Sequence, residues 1–216
     1  MGFLLPTLTQ DKLDNQREVV RNERRQTYEM RPYGLAFEKL LANLWNPEFP
    51  YHWLPIGSHE DLQAASLDDV KDFFKRFYGP ENAVLAVAGD VDVSRAKALA
   101  EKWFGPIPGK PPPIHQKPEP VPLVAEWRVT MEDRVQLPRL YVAWQTPKGF
   151  APGDAALDLV GQILADGKSA RLVKRLVMEE RIAQDVSAGQ MSQALGSMFL
   201  VVATPNLSSM LDAYGV

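Results

Sequence analysis

At 216 residues, with 45% hydrophobic and 24% charged residues, the chain has a globular composition, long for one core and adequate for two. A formal net charge of -3 without any basic run gives no electrostatic case for nucleic acid. Cys is absent, which removes disulfide and thiol chemistry but leaves the compartment open.

The N-terminus has no basic run, and its apolar stretch at residues 3–5 is far too short for a signal peptide or a transmembrane segment. The other end, LDAYGV, stops inside what reads as a helix opened by Asn206. The expectation is a sequence truncated on both sides. Between these ends, a helix capped by Thr9 runs through LTQDKLDNQREVVRNERRQTYEMR and must stop before Pro32, because the residue preceding proline avoids helical geometry. YGLAFEKLLANLW has the apolar spacing of a second helix, and NPEFPYHWLPIGSHEDL reads as an ordered loop. Ser66 caps SLDDVKDFFKRFYG, with Asp68 and Asp69 in the first turn where the helix dipole favours negative charge.

AVLAVAGD is a continuous apolar run with the pattern of a strand buried on both faces. Another helix, DVSRAKALAEKWFG, stops at Gly105. The stretch PIPGKPPPIHQKPEPVP is too rich in proline for helix or central strand and marks a linker. Beyond it, EWRVTMED, RLYVAWQTP, IAQDVSAGQMS and SMFLVVATP read as strands, and APGDAALDLVGQILAD and KSARLVKRLVMEE as helices. The fold class is therefore α+β, divided as residues 1–105, linker 106–122 and residues 123–216. Trp103, Phe104 and Trp144 are expected to fill the cores.

One residue in the first helix sits oddly. Periodicity places Glu23 on the same face as Leu13 and Val20, aiming a carboxylate at the interior. Such burial is costly unless donors or a positive charge meet it. Its neighbours Arg24 and Arg25 read as solvent-side or salt-bridging residues. His52 and His59, in the proline-rich loop, read as hydrogen-bonding or stacking residues rather than ligands. Neither AVAGD nor GKSARL has the glycine spacing of a phosphate loop, so no nucleotide is implied.

REVVRNERRQ, RPYG, PYHWLPIGSHEDL and DVKDFFKRFYGPENAVLAVAGDVD, followed by GKSARLVKRLVMEERIAQDVSAGQ, resemble the pitrilysin family of zinc proteases in order and spacing. That resemblance implies two homologous α/β sandwich domains joined by a linker. Residues 1–105 would be the C-terminal half of the first and residues 123–216 the N-terminal part of the second, both incomplete. It also implies a Zn2+ site in which an H-x-x-E-H motif gives two His ligands and a base, and a Glu on a later helix gives the third ligand. By resemblance that ligand is Glu23. A second carboxylate seven residues earlier in several relatives is Gln16 here, an amide able to hydrogen-bond around a ligand.

The motif itself is absent. The only histidines are His52, His59 and His115, and none has a His partner at the required spacing. No catalytic residue is therefore expected in this chain, and as a fragment it should be inactive. Where relatives with a complete site carry an Arg and a Tyr seven residues apart, this chain has Val177 and Gln184. The resemblance thus implies a zinc subunit whose partner subunit supplies the pair. Its substrate would be a peptide or unfolded segment bound as an added strand, in a periplasmic or cell-envelope setting. The competing expectation is a non-catalytic homologue with a structural role in a protease or membrane complex.

Overall fold

The computed structural model describes residues 7–109, 111, 114 and 117–206. The apolar stretch 3–5, His115 and the helix expected after Asn206 lie outside the described residues. Contacts divide the chain into two compact units, Met1–Glu23 with Ile56–Gln116 and Arg24–Pro55 with Lys117–Val216. This grouping puts residues 24–55 with the segment beyond the prolines, whereas the sequence reading divides the chain only at 106–122.

The first unit is helical among its described residues. Helix α1 (Gln10–Arg24) begins at Thr9, whose hydroxyl accepts the Lys12 N–H at 3.4 Å. HEDL, read as the end of a loop, folds into helix α3 (His59–Ala64), because Ser58 Oγ accepts the Asp61 N–H at 3.0 Å. Ser66 and Asp69 exchange bonds in a capping box that opens α4 (Leu67–Phe77). Asp92 caps α5 (Val93–Phe104), which ends at Gly105 as expected.

AVLAVAGD departs from expectation. Its backbone is extended at Ala83 but pairs with no strand, and Val84, Leu85 and Val87 are exposed, Val84 at 98%. A strand is completed only by neighbours that take up its N–H and C=O groups, and no described strand belongs to this unit. Trp103 and Phe104, expected in a core, are exposed on α5 among the described residues.

In the second unit a π turn, Arg25–Glu29, continues from α1 and closes with the Met30 N–H on the Arg25 carbonyl. The RPYG turn then folds back so tightly that a Cβ on Gly34 would lie 1.9 Å from the Tyr28 carbonyl oxygen. Helix α2 (Ala36–Leu44) presents Leu41 and Leu44 to a core shared with Trp45, Phe49 and Met198, where Trp45 and Phe49 stack at 4.8 Å. Strands β1 (Leu140–Thr146), β2 (Ala183–Met191) and β3 (Ser197–Pro205) form an antiparallel sheet in the order β1-β3-β2. Val201 at its centre faces Val142 on one side and Ala188 on the other. Helix α6 (Asp154–Ala165) packs on β2.

Three further expectations change. EWRVTMED is unpaired, with Trp127 and Val129 exposed. KSARLVKRLVMEE is helical for one α turn and then π-helical over Val173–Glu179. Trp144 is half exposed and touches Phe199 at 6.3 Å instead of filling a core. The fold is α+β, with helices against an antiparallel sheet.

Candidate functional site on helix α1

The inward face of α1 is built from arginines. Leu13, Arg17, Val20 and Arg21 are half-buried and Arg24 is buried, following a spacing of four, three, one and three residues that keeps one helical face. Glu23 is exposed, so the expectation of an inward carboxylate is corrected. At about 100° per residue, Glu23 sits on the flank of the Leu13–Val20 line, and the residue nearest the centre of that face is Arg24. The burial cost falls on a guanidinium instead.

That guanidinium is met by two carboxylates. Arg24 Nη2 bonds both Glu38 oxygens, at 3.0 and 2.9 Å, and its Nε bonds Glu29 at 3.2 Å. Burial by itself lowers the Arg24 pKa, but the hydrogen bond and charge of Glu38, with those of Glu29, outweigh it and raise the value. Arg24 is thus salt-bridging, as the sequence suggests, though not on the solvent side.

Gln16 and Glu23, seven residues and about two turns apart, share the exposed flank of α1. Neither side chain has a hydrogen-bond or ion-pair partner among the described residues. A regular helix therefore holds an oxygen donor and an amide in line, both free towards whatever covers that flank. Carboxylate oxygen is a zinc donor, so Glu23 fits one ligand position. It cannot hold an ion alone, and among the described residues no three of His, Cys, Asp or Glu gather to do so.

The other candidates are placed elsewhere. His52 shares a 2.6 Å bond between Nδ1 and the Trp45 carbonyl and packs on Trp53, a structural role. His59 Nδ1 accepts from Arg21 Nε at 3.3 Å. Val177 lies half-buried in the π-helical segment. Gln184 is exposed and is the extra residue of a β-bulge, since Ala183 pairs with Pro205 and Asp185 with Thr204.

Two features escape a sequence reading. Arg17 donates from Nε to the Leu62 carbonyl and from Nη2 to the Ala65 carbonyl, each at 2.7 Å. In the second unit, buried Asp154 accepts from Ser192 Oγ at 2.6 Å, Gln190 Nε2 at 3.0 Å and the Phe150 N–H at 2.8 Å. These bonds, with Ser192 first, hold the Asp154 carboxyl below its ordinary range. The only local signal was Asp154 at a helix start; Phe150 lies four residues before it, but Gln190 and Ser192 come from a distant hairpin.

No helix among the described residues is long and apolar enough to cross a membrane. The sequence profile described as peptidase M16 inactive domain matches residues 64–213. Over 209 residues the chain is 31% identical to the zinc protease PqqE of Helicobacter pylori, covering 95% of this chain and 46% of that protein. A crystal structure of a protease from Helicobacter pylori superposes with a TM-score of 0.71 at 28% identity, covering 96% of this chain and 52% of that one. The beta subunit of the mitochondrial-processing peptidase of Saccharomyces cerevisiae is 25% identical over 164 residues, 69% of this chain and 35% of that protein. The chain spans about half the length of the Helicobacter proteins, and less of the yeast subunit.

Proposed function

Since the chain belongs to the M16 peptidase family, we propose that it is part of a longer zinc-dependent peptidase and contributes Glu23 as one metal ligand. The carrying observation is the exposed, unpartnered Glu23 carboxylate on a regular helix, two turns from Gln16. It stands where the pitrilysin pattern has its third ligand. The stretch that matches the inactive-domain profile begins at residue 64, well beyond Glu23.

Bound zinc would supply a Lewis acid and a water of lowered pKa for attack on a peptide carbonyl. Glu23 offers one oxygen donor and one negative charge, and it is not the base. Gln16 is placed to hydrogen-bond a ligand or the water shell on the same flank, orienting donors around the ion. The two histidines and the base must come from outside this sequence, which has no H-x-x-E-H.

Val177 and Gln184 favour a division of labour. An apolar side chain and a neutral amide cannot replace the cationic and phenolic groups that the family pattern uses at those positions, so a partner subunit would supply them. The same departures also fit a non-catalytic homologue, and one experiment separates the readings. In the longer protein, Glu23→Gln is expected to lower both zinc content and peptide cleavage. Unchanged zinc stoichiometry in that variant would remove Glu23 from the ligand set, and a wild-type protein that binds no zinc would support the non-catalytic reading.

A further inference from the structure

Helix α1 carries its candidate ligand on a solvent-facing flank, so the direction of Glu23 depends on how the helix is rolled about its own axis. Leu13 and Val20 are only half-buried, and apolar contacts are non-directional; they tolerate a roll. Hydrogen bonds do not.

At about 100° per residue, Arg17 and Arg21 fall on one side of the Leu13–Val20 line, and Gln16 and Glu23 fall on the other. Arg17 grips the corner between α3 and α4. Its Nε and Nη2 reach the carbonyls of Leu62 and Ala65, both at 2.7 Å, which belong to the C-terminal end of α3 and have no onward helical partner. Asp14, one turn earlier, holds the third nitrogen of the fork. Arg21 engages the other end of the same short helix, with Nε on His59 Nδ1 at 3.3 Å and Nη1 on Gln63 Oε1 at 3.2 Å. α1 is thus fastened along the whole length of α3, and the fastenings lie opposite the exposed flank. All of these groups belong to one compact unit.

We infer that Arg17, supported by Arg21, is a positioning residue that sets the roll of α1 and thereby the aim of Glu23. The inference rests on the reading of Glu23 as a zinc ligand. Arg17 does not touch the ion; it acts through the helix. A lysine cannot substitute, because one ammonium on a flexible stem lacks the planar fork that spans two carbonyls.

The test uses the longer zinc-binding protein, with zinc affinity measured by chelator competition, Co2+ absorption as a record of ligand geometry, and melting temperature as the control. Arg17→Lys is expected to weaken zinc binding about tenfold and alter the Co2+ spectrum while the melting temperature stays near wild type. Combined with Glu23→Gln it should cause no further loss, since both changes act on the same ligand. If Arg17→Lys does not fold, Arg21→Gln carries the same expectations from the other end of α3. Wild-type zinc affinity in the arginine variants, alongside a weakened Glu23→Gln protein, would overturn the positioning role and leave the ligand reading intact. Losses that persist undiminished in the Glu23→Gln background would also overturn it. Full zinc binding by Glu23→Gln itself would overturn the ligand reading, and this inference with it.

Discussion

Asp154 shows what a buried charge needs in order to be tolerated. Three donors from two chain segments converge on its carboxylate, and the ordinary value of 3.8 is lowered chiefly by the Ser192 hydroxyl, then by Gln190 and the Phe150 N–H. A carboxyl depressed in the folded state stabilises the fold fully above its unfolded pKa, and that contribution is lost as pH falls through the folded value. Asp154→Asn should therefore be less stable than wild type at about pH 7, and the gap should begin to narrow as pH falls below the ordinary value of 3.8. Urea unfolding midpoints across that range check it; a gap independent of pH would mean the charge is irrelevant. α1 teaches the complementary lesson. Two apolar residues, Leu13 and Val20, are too few to fix which residue lies at the centre of a face, and that residue is Arg24 rather than Glu23. Long guanidinium side chains bury their stems while their forks find carbonyls or carboxylates, so a face lined by Arg17, Arg21 and Arg24 does not read as interior in a hydrophobic pattern.

Among the elements, those whose start is written locally were legible. Thr9 and Ser66 each cap the helix they were read to open, because a cap needs only a side-chain oxygen and an N–H three residues on. Strands depend on partners far away in the chain. RLYVAWQTP, IAQDVSAGQMS and SMFLVVATP find one another, whereas the equally apolar AVLAVAGD and the alternating EWRVTMED remain unpaired. Helix-on-sheet packing adds a demand that periodicity does not reveal. α6 crosses β2 at Gly161, where an added Cβ would stand 3.1 Å from the Gly189 Cα and 3.2 Å from the Ala188 carbonyl oxygen. Both neighbours are backbone, which yields only if the helix lifts. Gly161→Ala is expected to lower the denaturation midpoint, because the backbone clash more than offsets the roughly 1 kcal/mol that alanine gains in a helix interior. Gly189→Ala, whose Cβ would meet nothing within 4 Å, should be tolerated. Equal stability of the two variants would show that the close approach does not constrain the sheet.

At the level of the whole chain, the apolar surface left open is the dominant fact. Val84 is 98% exposed and Trp127 70%. In the first unit, Leu85, Val87, Leu99, Trp103 and Phe104 line a groove of about 430 Å³ between the extended segment and α5. In the second, β1 and β2 each leave one edge of the three-stranded sheet unpaired among the described residues. Open edges and contiguous apolar patches are templates for association. Composition gave no warning, since 45% hydrophobic content is unremarkable whether or not partners are present to bury it. The family resemblance did, by implying two incomplete domains. The purified 216-residue chain should therefore bind an apolar dye such as ANS and self-associate as its concentration rises, followed by light scattering. Replacing Leu85 and Val87 together by Asp places two charges in the groove and should weaken both signals, because a buried unpaired carboxylate opposes any apolar cover. A monodisperse, dye-silent wild-type chain would show that these surfaces are satisfied within the chain in solution.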